Sequence, residues 1–190
     1  MLSHYFEIKA VPHEEMPQSA ITSLAMQDLH SLLKDFEGKV ALAFPNYQKH
    51  VLTLGGRIRC FGDSASLEIL RLKLSNKTIS DYAIITNINP VPTNIRGYYN
   101  YSRVQNKGLS DLRRQQRRLE SEGVCEDRIK EILGNKAQNQ KQITLPHVHI
   151  KSSSTGQQFL LMIKQKQKPM KSTGVFNSYG LSKDATVPWF

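Results

Sequence analysis

Cysteine is nearly absent from this chain. Cys60 and Cys125 are the only two in 190 residues, and they stand far apart in unlike contexts. They specify neither a disulfide framework nor a cysteine-based zinc site. No apolar run approaches the roughly 20 residues that a membrane span needs. The opening MLSHYFEIK has neither the basic nor the apolar region of a signal peptide, so the expected setting is the cytoplasm. Acidic residues are scarce where basic ones are dense. Residues 96–190 hold seventeen Lys and Arg against seven Asp and Glu, whereas residues 1–95 hold nine of each, so the whole formal charge of +10 belongs to the second half. That half has no Asp/Glu cluster able to hold catalytic Mg²⁺, which weighs against a two-metal nuclease. Such asymmetry calls for a polyanionic partner on one side of the molecule, a nucleic acid or an anionic membrane surface.

What is present is enough for a packed core, with 39% hydrophobic residues. HYFEIKAV (4–11) alternates as a half-buried strand does, Phe6, Ile8 and Ala10 opposing Tyr5, Glu7 and Lys9. After Pro17, Ile21, Leu24, Ala25, Leu29, Leu32, Leu33 and Phe36 step by three and four, which predicts an amphipathic helix ended by Gly38. KVALAFPNY (39–47) and TLGGRIRCFGD (53–63) are strand candidates joined by a polar loop. Residues 64–75 predict a second helix with Ser64 as its cap, and DYAIITNINPVP (81–92) a strand ended by its prolines. Strand, helix, strand, strand, helix, strand is the order of the ferredoxin-like split βαβ unit, assigned to residues 1–92. The expected class is α+β, with an α/β domain over 93–190.

That second part is built around RVQNKGLSDLRRQQRR (103–118), which puts five arginines and a lysine into sixteen residues. Gly108 breaks the preceding segment, Ser110 is placed to cap a helix, and Leu109, Leu112 and Leu119 give that helix an apolar side. Arg113 and Arg117 are four apart, as are Arg114 and Arg118, so four guanidinium groups form two adjacent rows. A solvated charged face is the plain reading of such a run. Four cations on two turns repel, however, and the planar fork of arginine suits phosphate oxygens. Tyr98, Tyr99 and Tyr101 stand just before Arg103, interleaving rings with cations as many RNA-binding surfaces do. The helix gives way near Gly123, and CEDRIKEILG (125–134) continues as helix. KAQNQKQ (136–142) is expected as a polar loop, TLPHVHIK (144–151) and QFLLMIK (158–164) as strands, and KQKQKPMK (164–171) as a hairpin. The closing VPWF is expected to pack on the fold.

Among the six histidines, His30 falls beside Leu29 and Leu33 at the rim of the apolar stripe. A structural role and a catalytic one are both open to it, since an imidazole titrates near neutral pH. His147 and His149 share one face of a strand, the spacing of a metal pair, but no third ligand converges on them in the sequence. Ser152, Ser153, Ser154, Thr155 and Gly156 form a hydroxyl-rich turn beside Lys151.

Leu29–His30 in the first helix, SRVQ (102–105) before the arginine-rich helix, the turn SSSTGQ (152–157), and the closing SYGLSK (178–183) with VPWF (187–190) occur in order along the chain. In this combination the sequence resembles, nearly end to end, the repeat-processing endoribonucleases of type I-F CRISPR systems. The resemblance implies a ferredoxin-like first domain, a second domain carrying the arginine-rich helix, and cleavage without metal or cofactor at the base of a CRISPR repeat hairpin in precursor crRNA. It implies His30, Ser152 and Tyr179 as catalytic residues, with Ser154 as the second serine of the turn. It implies Arg103 and Gln105 as readers of base edges, Arg113, Arg114, Arg117 and Arg118 along the stem phosphates, Lys151 near them in place of an arginine, and Phe159 stacked on the terminal base pair. The implied partners are the repeat RNA stem-loop and the other subunits of a type I-F surveillance complex, with no membrane. Two rival classes remain at this point, a non-cleaving RNA clamp of the same complex and a DNA-binding or ribosomal protein with a basic face.

Overall fold

The computed structural model describes residues 2–36, 38–105, 109–139, 144–152 and 156–190. Contacts divide the chain into two compact units, Met1–Val104 with Leu145–Phe190, and Gln105–Thr144. Two antiparallel sheets and four α-helices among the described residues make the fold mixed α+β.

The first sheet follows from the alternation at the start of the chain. In β1 (His4–Ala10), Phe6 and Ile8 are buried against the helices, each such side chain contributing about 1.5–3 kcal/mol. β1 pairs antiparallel with β3 (Arg57–Gly62), Phe6 opposite Cys60 and Ile8 opposite Ile58. On its other side it pairs with β4 (Ala83–Ile85), and its His4–Tyr5 end pairs with β5 (Asn89–Pro90). β2 (Ala41–Ala43) pairs with β3, giving the order β2-β3-β1-β4. These strands are shorter than the apolar runs that predicted them, because proline and polar turns claim the ends.

Helix α1 (Gln18–Leu33) buries Ile21, Ala25, Met26, Leu29, Leu32 and Leu33, and a short 3₁₀ turn follows over Lys34–Phe36. Helix α2 (Ser64–Ser75) is capped by Asp63 rather than Ser64. The Asp63 carboxylate accepts from the Ser66 N–H (2.9 Å) and the Ser66 hydroxyl (2.8 Å), which places the cap one residue earlier than expected. Behind the sheet, buried Arg59 meets Glu7 through Nη2 (2.9 Å), and its guanidinium lies 4.0 Å from the Phe190 ring. Phe190 also meets Tyr5, and Trp189 meets Tyr99, so the closing aromatics pack on the fold.

The second sheet contains β6 (Gly97–Val104), β7 (His147–Lys151), β8 (Gln158–Lys168) and β9 (Val187–Trp189) in the order β7-β8-β6-β9. β8 runs on through Lys168, so the lysine-spaced stretch from 164 is strand and not hairpin. Its period of two is the reason. Lys164 and Lys166 face solvent while Gln165 turns inward and donates to the Tyr101 hydroxyl (2.8 Å).

In the second unit, α3 (Leu109–Ser121) and α4 (Glu126–Asn139) flank a turn closed by Gly123, whose φ is +74°. The Val124 N–H donates to the Leu119 carbonyl and the Gly123 N–H to the Glu120 carbonyl (both 3.1 Å), which together form a Schellman motif. α4 takes in residues 136–139, expected as loop, because Lys, Ala and Gln form helix readily despite their polarity. Ser110 and Gly108, read as cap and breaker, carry no described side-chain geometry; 108 lies outside the described residues.

Candidate active site

His30 occupies the last turn of α1, half-buried at the rim of the stripe that seats Leu29 and Leu33 in the core. Its Nδ1 lies 2.9 Å from the Ser178 carbonyl oxygen. A carbonyl only accepts, so Nδ1 carries the proton and the neutral ring keeps its lone pair on Nε2. Tyr179 stacks on the imidazole, the ring centroids 3.9 Å apart and the planes 8° from parallel. Burial, the largest influence, lowers the His30 pKa below its usual 6.5. The Ser178 carbonyl acts in the opposite direction, and the positive charges of Lys34 and Arg103 add to the lowering. The ring is therefore a neutral base over a wider pH range than a free histidine.

The turn that delivers Ser178 and Tyr179 is tightly specified. Asn177 Oδ1 accepts from the N–H groups of Tyr179 (2.9 Å) and Leu181 (3.2 Å), and the Gly180 N–H donates to the Asn177 carbonyl (2.8 Å). Gly180 has φ +66°, its carbonyl accepts from the Leu42 N–H (2.8 Å), and an added Cβ would fall 2.5 Å from Leu42 Cγ. Only glycine fits there.

Arg103, at the end of β6, extends the cluster. Its guanidinium carbon lies 5.2 Å from the Tyr179 ring centroid and 5.4 Å from that of Phe159. His30, Tyr179, Arg103 and Phe159 thus form one stacked run of half-buried side chains. Ser152 opens the hydroxyl-rich turn, with its N–H donating to the Gln157 carbonyl and its own carbonyl accepting from Gly156, both at 2.9 Å. Lys151, just before it, is exposed at the end of β7. Ser154 lies outside the described residues.

In the helical unit, Gln105 is exposed, and Arg114, Arg117 and Arg118 point to solvent along α3. Arg118 Nε donates to Glu122 (2.7 Å), which raises its pKa. Arg113 lies on the same helix, and its side chain is outside the described set. The His147 and His149 rings are 5.9 Å apart, and among the described residues no three His, Cys, Asp or Glu side chains come together.

Two participants in this geometry were missed in the sequence. Ser178 acts through its backbone carbonyl, for which no residue type is a signal. Gln27 bonds to the backbone of Lys151, and its spacing of three from His30 on α1 was the one available sign.

A family model described as CRISPR-associated protein (Cas_Csy4) matches residues 5–190. A protein of Escherichia coli (strain UTI89 / UPEC) named CRISPR-associated endonuclease Cas6/Csy4 is 32% identical over 194 residues, and one of the same name from Pseudomonas aeruginosa (strain UCBPP-PA14) is 31% identical over 198. Each alignment covers the whole of both chains. Matched by the family model to its last residue and by two relatives along their full length, this chain belongs to the Cas_Csy4 family of CRISPR-associated proteins.

Proposed function

We propose that this protein is a metal-independent endoribonuclease that cuts CRISPR repeat hairpins in precursor crRNA at the base of the stem. The observation that carries the reading is His30, with Nδ1–H held by the Ser178 carbonyl and Nε2 free to take a proton. RNA supplies its own nucleophile, so catalysis needs a base and an in-line geometry rather than a metal-bound water. His30 Nε2 removes the proton of the 2′-hydroxyl, that oxygen attacks the adjacent phosphorus, and the P–O5′ bond breaks. The leaving oxygen takes a proton from solvent, so the ends are a 2′,3′-cyclic phosphate and a 5′-hydroxyl. Ser152, with Ser154 in the same turn, holds the ribose in line, and Tyr179 fixes the plane of the imidazole by stacking on it.

Arg103 and Gln105 read base edges where the stem ends and its groove opens, Arg to guanine and Gln to adenine. Phe159, beneath the Arg103 guanidinium, stacks on the terminal pair. Arg113, Arg114, Arg117 and Arg118 run along the stem phosphates, and Lys151 adds a phosphate contact at the cleavage end. The protein stays on its product stem-loop as one end of a type I-F surveillance complex. The strand order β2-β3-β1-β4 supports a ferredoxin-like arrangement for residues 1–92, with the RNA-binding residues in 93–190.

The test is cleavage of the host's labelled repeat hairpin in EDTA by wild type and His30→Ala. The expected result is cutting at the stem base by wild type, a rate lower by about 10²–10⁴ in the variant, and no cutting of RNA with a single 2′-deoxy at the scissile position. Tight binding without cleavage by wild type would reject the enzyme and leave the RNA clamp.

A further inference from the structure

β7 is an edge strand of the second sheet, paired with β8 on one side only. Its outer backbone groups are met by side chains of α1 rather than by another strand. The His149 N–H donates to Ser23 Oγ (3.3 Å), and the Lys151 N–H donates to Gln27 Oε1 (2.7 Å). Gln27 Nε2 returns a bond to the Lys151 carbonyl (3.1 Å). The spacing explains the fit. Four helical residues rise about 6 Å, and two strand residues about 6.7 Å, so Ser23 and Gln27 keep step with His149 and Lys151. A glutamine amide offers the donor and acceptor of a peptide group, and it pairs with Lys151 as a strand would.

The position of this pair in the molecule gives it a further use. Gln27 stands three residues before His30, on neighbouring positions of one helix face. Lys151 is covalently next to Ser152. The Ser152 backbone is also held within its local turn, its N–H donating to the Gln157 carbonyl and its carbonyl accepting from the Gly156 N–H. We infer that Gln27 is a positioning residue for cleavage, fixing the separation between the His30 base and the Ser152 hydroxyl by clamping the backbone of Lys151 to α1. The inference rests on the endoribonuclease reading above. Gln27 touches no reacting atom, and it acts through the two residues it ties together.

The experiment compares wild type with Gln27→Ala, Gln27→Glu and Gln27→Asn. It measures the single-turnover cleavage rate on the repeat hairpin, the affinity for the same hairpin carrying a 2′-deoxy at the scissile position, and amide exchange at Lys151. In Gln27→Ala, the cleavage rate falls about 10–100-fold, the loss expected from a small misplacement of reacting groups. Affinity stays within about twofold, because the arginines are unaltered and Lys151 keeps its side chain, only its backbone being released from α1. Lys151 exchange quickens. Gln27→Glu keeps the acceptor for the Lys151 N–H but sets an oxygen against its carbonyl, and it should fall between wild type and Gln27→Ala. Gln27→Asn keeps the amide one methylene short and tests whether reach matters. Wild-type cleavage by Gln27→Ala would overturn the proposal while leaving the enzyme reading intact. A parallel loss of affinity and rate in all three variants would overturn it too, as a purely structural role. A wild-type chain that binds the hairpin and does not cut it would overturn both.

Discussion

Two glycines with positive φ, one in each unit, show how differently the two parts of this molecule are held. Gly180 lies in a turn bonded to β2, where a methyl group would strike the buried Leu42 side chain. Gly123 closes the α3–α4 turn with nothing among the described residues within 4 Å of where its Cβ would be. The contrast extends to the surroundings. The sheet unit buries a continuous cluster from Phe6 to Val187, whereas Ile129 is the buried hydrophobic side chain of the helical unit among the described residues. Apolar packing fixes the shape of the first unit, and the candidate catalytic residues belong to it. Helix propensity, the Schellman turn and exposed ion pairs such as Arg118–Glu122 support the second. Catalysis needs fixed geometry and phosphate binding needs charge, and on the proposed function the two fall to units built by different forces.

The sharpest way to break this contrast is Gly180→Ala. Left-handed strain and overpacking against Leu42 together predict a loss of about 2–4 kcal/mol, read as a lower Tm with cleavage falling alongside it as Ser178 and Tyr179 shift. A wild-type Tm would mean that the turn is not the rigid support described. Arg114→Ala with Arg117→Ala comes next. Both side chains are exposed, so stability should hold while hairpin affinity drops similarly for every stem sequence. The slope of log K against log salt should become shallower by about one unit per residue, and loss of sequence discrimination instead would assign these arginines to base reading. Gly123→Ala carries conformational strain alone, about 1 kcal/mol, confined to the helical unit. Amide exchange in α3 and α4 should quicken without a change in the main thermal transition. A fall in that transition would show the two units to be coupled.

The smallest effect concerns pH. Because the folded pKa of His30 is lowered, the unfolded chain binds more protons in the window just below 6.5. The associated stability is full above that value and is lost as pH falls through the window. The acid limb of the cleavage profile should accordingly have its midpoint below 6.5, and Lys34→Gln should move it slightly upward, since burial is the larger cause. A midpoint above 6.5 in the wild type would remove His30 as the base.

Periodicity made much of this legible in advance. The stripe from Ile21 to Phe36 predicted α1 and set His30 at its rim, and the alternation from His4 predicted β1. Polar segments were the weak point. Residues 136–139 and the Lys–Gln stretch of β8 lack an apolar face, so their states follow from helix propensity and from pairing with β6, which composition does not display. Of the residues singled out by side-chain type, His30, Tyr179, Arg103 and Phe159 stand together in the candidate site, whereas groups acting through geometry carried no signal. The Ser178 carbonyl and the Gln27 clamp arise only when segments distant in sequence, 148 and 124 residues apart, are brought together.

The two cysteines differ as the two units do. Cys60 is fully enclosed opposite Phe6 in the first sheet, and burial pushes its thiol pKa far up, leaving it inert to alkylation. Cys125 is exposed at the start of α4. A maleimide dye added to the native protein should therefore attach at one position, in the helical unit. On the proposed function, labelling in this way would make RNA capture by the arginine helix observable as a fluorescence change without a single substitution.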